Sequence, residues 1–245
     1  DIKKFAAIEP GTWASNAQYG IRVYENGNLK DGQVFVYGSE AGTPGFILDG
    51  GKTYTFVGYS INSSSSLPTV TNKNTLATAT INNVSADLMF FTTNQAVVTG
   101  NNNLSVVLKH MFSQVTTKVQ VGTLYQGRIE AIGSSNIGGS MTNGSLKLSD
   151  GSLTYSGTTT STPVTFPTIT APVPNITSNP TLLISPAITN ATFTLNGLQV
   201  NGFSNPISLT GLKINPGKKY NLILTFDAPC IQDVGPVNFN LSNGN

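Results

Sequence analysis

Between residues 17 and 38 the chain reads "AQYGIRVYENGNLKDGQVFVYG", with Tyr19, Ile21 and Val23 alternating with polar or small residues. Successive side chains on a strand point to opposite faces, so a period of two gathers the apolar residues on one face. Asn26-Gly27 then supplies two residues that tolerate positive φ, which predicts a turn and a second strand around Val34 to Tyr37. The same alternation, punctuated by Gly, Asn, Asp or Pro, recurs in "FILDGGKTYTFVGYS", "DLMFFTT", "NNNLSVVLKHMF", "GSLKLSDGSLTY", "ATFTLNGLQV" and "ISLTGLKINPGKKYNLILTF". Nowhere do apolar residues keep helical spacing for more than a few positions. The chain is therefore expected to be all-β.

Its 245 residues suit one large β domain or two of ordinary size. Folding should hide about 70% of the extended surface, enough for a core that needs no disulfide staples. Charged residues are 10% of the chain, well under the average of about 25%, so Ser, Thr and Asn carry the polarity. The net charge is +2, and no basic run exceeds the pairs Lys3-Lys4 and Lys218-Lys219. That excludes the phosphate-neutralising stripe of a nucleic-acid-binding protein. No apolar run reaches the roughly 20 residues that span a bilayer. The single cysteine, Cys230, has no internal disulfide partner and no zinc-ligating neighbours, and it reads as a small apolar residue.

Prolines 163, 167, 172, 174 and 180 crowd the middle of the second half. Because proline donates no ladder hydrogen bond, strands there should be short or lie at sheet edges. "GGKTYTFVGY" (50 to 59) and "PGKKYNLILT" (216 to 225) both read Gly-Lys-x-Tyr-x-apolar, the Gly suited to a positive-φ corner and the Tyr to the start of an inward face. This internal echo suggests two similar β-sandwich domains, divided as 1–112 and 113–245.

Catalytic constellations are hard to assemble from these residues. One histidine, His110, cannot supply a zinc hydrolase with its ligands, and no Gly-x-Ser-x-Gly elbow offers a serine nucleophile. The acidic residues show no calcium-loop spacing. A glycosidase needs only two carboxylates brought together by the fold, which keeps Glu9, Glu25, Glu40, Asp49, Asp87 and Glu130 in view. The expectation is a protein that is not an enzyme and carries no cofactor or metal. An alternative is a surface carbohydrate-binding module, with Trp13, Tyr19, Tyr24, Tyr37, Tyr59, Tyr125 and Tyr155 as available stacking rings, Trp13 and Tyr59 foremost. Aromatics on alternating strands more often serve the core. The Asn-x-Ser/Thr triplets at Asn62 and Asn175 are what an Asn-rich chain contains, and no glycan is assigned to them.

"ADLMFFTT", then "VVLKHMFSQVTTKVQV", then "LKINPGKKYNLILTF", with "LDGGKTYTFVGYSINSSSSLP" before them, resembles the fimbrillin-like, or type V pilin, superfamily of Gram-negative surface proteins. The resemblance implies two transthyretin-like, Greek-key β-sandwich domains in tandem. It implies export of a signal-bearing lipoprotein precursor, and display at the outer membrane or in a fimbrium through a lipid anchor or fimbrial assembly. Its implied partners are other fimbrial subunits joined by strand exchange, along with host or bacterial receptors or glycans. The chain is short for a main stalk subunit, which favours a minor, tip or accessory role. A neighbour's strand would supply main-chain partners to an unpaired edge while alternate apolar side chains enter its core. "PVNFNLSN", with Val237, Phe239 and Leu241 in alternation, is the candidate donor strand. Arg22 is the one arginine near the N-terminus at which relatives of this kind would be processed.

His110 follows Val106 and Leu108 on the apolar side of the alternation. The pattern then changes parity to Val115, Val119 and Val121, a slip that marks a bulge, a bend or a domain junction. A half-buried imidazole there is expected to be structural, bonding backbone that the irregularity leaves unpaired.

Overall fold

Strand follows strand, with no α-helix among the described residues of the computed structural model, which are 2–6, 13–122, 127–158, 160–226 and 238–243. The first nine strands are β1 (Ile2–Ala6), β2 (Gln18–Glu25), β3 (Asn28–Val36), β4 (Lys52–Ser60), β5 (Val70–Thr71), β6 (Thr80–Val84), β7 (Met89–Val97), β8 (Asn102–Val106) and β9 (Lys109–His110). Next come β10 (Ser113–Val121), β11 (Ile129–Ala131), β12 (Ser135–Ser140), β13 (Asn143–Lys147), β14 (Leu153–Ser156), β15 (Thr160–Pro163) and β16 (Asn175–Thr177). The last are β17 (Thr181–Leu183), β18 (Ile188–Val200), β19 (Phe203–Ile214), β20 (Lys219–Phe226) and β21 (Asn238–Asn243).

Two compact units result, Asp1–Met111 with Asn143–Ser156, and Phe112–Thr142 with Gly157–Asn245. The division is discontinuous because the β13–β14 hairpin, inside the stretch 113–245, pairs with β6, Leu146 opposite Ile81 and Lys147 opposite Thr80. Its turn also lies on a first-unit side chain: a Cβ at Gly151 would come within 2.6 Å of the Phe90 ring.

In the first unit, β3-β2-β4-β7-β9 form a five-stranded sheet, β14-β13-β6-β5 a four-stranded one, and β1 runs parallel to β8. Tyr19, Ile21, Val23, Tyr54 and Phe56 cluster with Phe35, Leu104, Val106 and Leu108 as one core. Tyr24, Val57 and Tyr59, at the other parity, are also buried, so both faces of the large sheet are covered. Tyr59 fills the space over Gly20, where a Cβ would lie 2.7 Å from its ring. The Asn26-Gly27 turn takes φ of 48° and 80° as anticipated. The strand after it begins at Asn28, not near Val34, because the polar run "NLKDGQ" completes the β2 ladder across a register shift at Val23/Tyr24.

In the second unit one sheet has the order β16-β10-β20-β21, with β17 also on β10, and the other β11-β18-β12-β15, with β19 on β18. Val115, Val119, Ile137, Phe193, Leu195, Leu222 and Leu224 belong to its core. The proline-rich stretch forms β15, β16 and β17, three or four residues each.

The Gly-Lys-x-Tyr echo is a turn clamp. Gly51 and Gly217 take φ of 81° and 72°. Tyr54 then accepts the Asp49 amide at 3.1 Å, and Tyr220 accepts the Asn215 amide at 2.9 Å. The surroundings differ: β4 lies between antiparallel β2 and β7, whereas β20 lies between parallel β10 and antiparallel β21.

Candidate functional site

The tail of the chain closes a sheet. β10 runs parallel to β20 from Gln114 opposite Lys219 to Val121 opposite Phe226. On the other side of β20, Leu241 pairs with Leu222 and Phe239 with Leu224. Leu222 and Leu224 are wholly buried. The β21 backbone therefore runs in register beside the buried face of β20. Val237, the third member of the candidate donor strand, lies outside the described residues, and in this structure β21 pairs within its own chain.

His110 has a different partner from the one anticipated. Its Nδ1 lies 2.8 Å from Asp87 Oδ1, a carboxylate where backbone was expected. The cause is topological: β9 pairs with β7, His110 opposite Met89, which brings the residue two positions before Met89 alongside the imidazole. Asp87 Oδ2 accepts Asn62 Nδ2 at 3.0 Å, and Asn62 Oδ1 accepts the Ala14 amide at 2.9 Å. The carboxylate thus links three segments distant in sequence. No group of three or more potential metal ligands occurs among the described residues.

Arg22 sits inside β2, paired on both sides by β3 and β4. It is half-buried over Gly32, where a Cβ would clash with its guanidinium, and it donates from Nη2 to the Tyr59 hydroxyl at 3.4 Å. A protease needs an exposed, extended segment, which this central-strand position does not offer.

The stacking rings are mostly spent on packing. Tyr19, Tyr24 and Tyr59 are at most 2% exposed. Trp13 is half-buried and stacks on Tyr37, centroids 4.9 Å apart. Tyr155 is half-buried, and Tyr125 lies outside the described residues, as do Glu9 and Cys230.

Two of the candidate carboxylates are held by lysines. Glu25 and Asp49 converge on Lys52, at 2.8 and 2.9 Å, with Lys30 beside both. The Lys52 ammonium holds the exposed Asp49 carboxyl below its usual value, the reverse of the raised value a glycosidase acid needs. Glu40 accepts the Tyr19 hydroxyl and the Gly38 amide.

A groove that the sequence did not signal opens in the second unit. β11 and β12 follow β18 but part at residues 132–134, opposite Asn196 and Gly197, the latter at φ 64°. Along their outer side Val164 donates to Ser135 O at 2.8 Å, and Val173 exchanges two hydrogen bonds with Ile129. Between these anchors the chain leaves the strand edge, forming an open groove of about 630 Å³ between Glu130–Asn136 and Pro163–Ile169. Ile132, Phe166 and Ile169 pack on the core below it. Ser135, 4% exposed, stands opposite the core residue Leu195, and its hydroxyl has no partner among the described residues. Glu130 Oε2 accepts the Gly202 amide at 2.8 Å.

The fimbrillin-like family profile matches residues 4–241. Among solved structures, a candidate cell adhesion protein from Bacteroides uniformis aligns at 14% identity and TM-score 0.60, over 95% of this chain and 93% of its own. Another from Bacteroides ovatus aligns at 11% identity and TM-score 0.59, over 100% and 95%. A fimbrial assembly protein from Parabacteroides distasonis aligns at 13% identity and TM-score 0.51, over 94% and 88%. At such identities the likeness is one of fold. No curated protein matches significantly in sequence. The family match spans nearly the whole chain, and the protein belongs to the fimbrillin-like family, a cell-surface family of fimbrial and adhesive proteins, not of enzymes.

Proposed function

We propose that the protein is a surface-displayed structural or adhesive subunit of fimbriae, a minor, tip or accessory component, that joins its neighbours by β-strand addition. Family membership over residues 4–241 supports the fimbrial role. The observation that carries the assembly reading is the register of β21, whose Phe239 and Leu241 lie opposite the buried Leu224 and Leu222. A strand that extends a sheet in its own chain can extend the same kind of edge in another, since main-chain bonds supply affinity and the sequence alternation supplies register. Under this reading the chain is exported as a signal-bearing precursor and held at the outer membrane by a lipid anchor or by the fimbrium, and its partners are other fimbrial subunits.

The test is removal of residues 234–245, with a Phe239→Lys variant that keeps the tail but not its apolar alternation. Electron microscopy of producing cells should find the variant proteins absent from surface fibres, while far-UV circular dichroism of the purified chains retains the β spectrum. Incorporation of both variants into fibres would refute the donor role of this tail.

A further inference from the structure

We propose that the groove between Glu130–Asn136 and Pro163–Ile169 binds a short neutral oligosaccharide. This goes beyond the assembly role and concerns residues remote in sequence from the tail. Its volume, about 630 Å³, falls within the roughly 300–1,000 Å³ of small-molecule clefts. Phe166 is half-buried against the core and lines the groove, giving the apolar face of a pyranose ring a surface to stack on. Asn136 lines the groove and alternates with the core residue Ile137, which turns its amide to the outer side, where it can pair with sugar hydroxyls. Glu130 uses Oε2 on the Gly202 amide, and Oε1 has no partner among the described residues. A carboxylate with a free oxygen accepts sugar hydroxyls and repels anionic groups, so the ligand is neutral.

Two features separate this occupant from a β-strand of another subunit. Pro163 and Pro167 stand in one wall and lack amide hydrogens, so that wall cannot build a continuous ladder. The polar lining is otherwise neutral hydroxyl and amide, from Ser134, Asn136, Thr165 and Thr168. Glu130 is the one acidic residue in the lining, whereas glycoside hydrolysis requires two carboxylates. The groove therefore binds sugar without cleaving it.

The experiment is isothermal titration of the full chain with maltotriose, cellotriose, mannotriose and chitotriose, with sialyllactose as the anionic comparator. At least one neutral trisaccharide should bind at one site per chain, with sialyllactose weaker. Asn136→Ala should weaken binding about fivefold to tenfold, as expected for one lost hydrogen bond. Glu130→Gln and Phe166→Ala should weaken it at least as much, and Trp13→Ala should leave it unchanged. Circular dichroism identifies any variant that fails to fold, and Asn136→Ala keeps the test open if Phe166→Ala does. No binding of any neutral trisaccharide at about 10 mM, near the floor of measurable affinity, would overturn the proposal. So would binding indifferent to all three groove substitutions, or sedimentation in which those substitutions abolish self-association of the sugar-free chain.

Discussion

A double-mutant cycle on His110 and Asp87 tests whether the lone imidazole is a structural latch. The contact is 2.8 Å long and the two side chains are 18% and 21% exposed, so solvent screens it only in part. A hydrogen bond to a charged group is worth roughly 1.5–3 kcal/mol, and partial exposure lowers that figure. His110→Ala should cost about 1–3 kcal/mol. Asp87→Asn should cost a similar or smaller amount, since it also disturbs the Asn62 contact at 3.0 Å. If the two groups act as one unit, the double variant loses less than the sum of the singles, with a coupling of about 1 kcal/mol. Urea unfolding is best followed by the fluorescence of Trp13, the chain's one tryptophan, which stacks on Tyr37 in the same unit as His110. That reporter follows the unit concerned and does not require the whole chain to unfold in one step. Coupling within about 0.3 kcal/mol of zero would refute the latch, because independent sites add within that range.

Gly20→Ala puts a methyl 2.7 Å from the ring of Tyr59, itself 2% exposed; the overpacking should cost about 1–3 kcal/mol, read from the same fluorescence transition. Leu222→Ala removes a wholly buried side chain of the second-unit core and should cost about 2–5 kcal/mol, measured as faster hydrogen exchange of β20 amides. Burial holds the Tyr24 phenol above its usual value, and burial with the Glu40 carboxylate does the same for Tyr19. The folded state keeps these protons more tightly, so their contribution is intact below about pH 10 and is lost as pH rises through the folded values. Tyr19→Phe and Tyr24→Phe should move the alkaline loss of the Trp13 signal to higher pH, and an unmoved profile would contradict the assignment.

The β structure was legible because its signals are local. Tyr19, Ile21 and Val23 alternate by residue type alone, Asn26-Gly27 turns because those residues tolerate positive φ, and prolines keep β15 to β17 short wherever they pack. The echo at Gly51 and Gly217 identified two glycine corners. The tyrosine hydroxyls that close them became apparent only once the turns were folded, since sequence spacing does not specify a side chain's partner.

Everything that depended on distant pairing was decided by the tertiary structure. The β13–β14 hairpin joins the first unit through β6, more than sixty residues upstream, and nothing in its alternation names that partner. Asp87 reaches His110 because β7 pairs with β9, and Tyr59 is buried and Arg22 half-buried because both faces of their sheet are covered. The groove exists because the chain leaves a strand edge between Val164 and Val173, while Asn136 and Glu130 look ordinary in sequence. Residue type and period specify which face of a strand is apolar, but the identity of the facing strand follows from the balance of many long-range contacts.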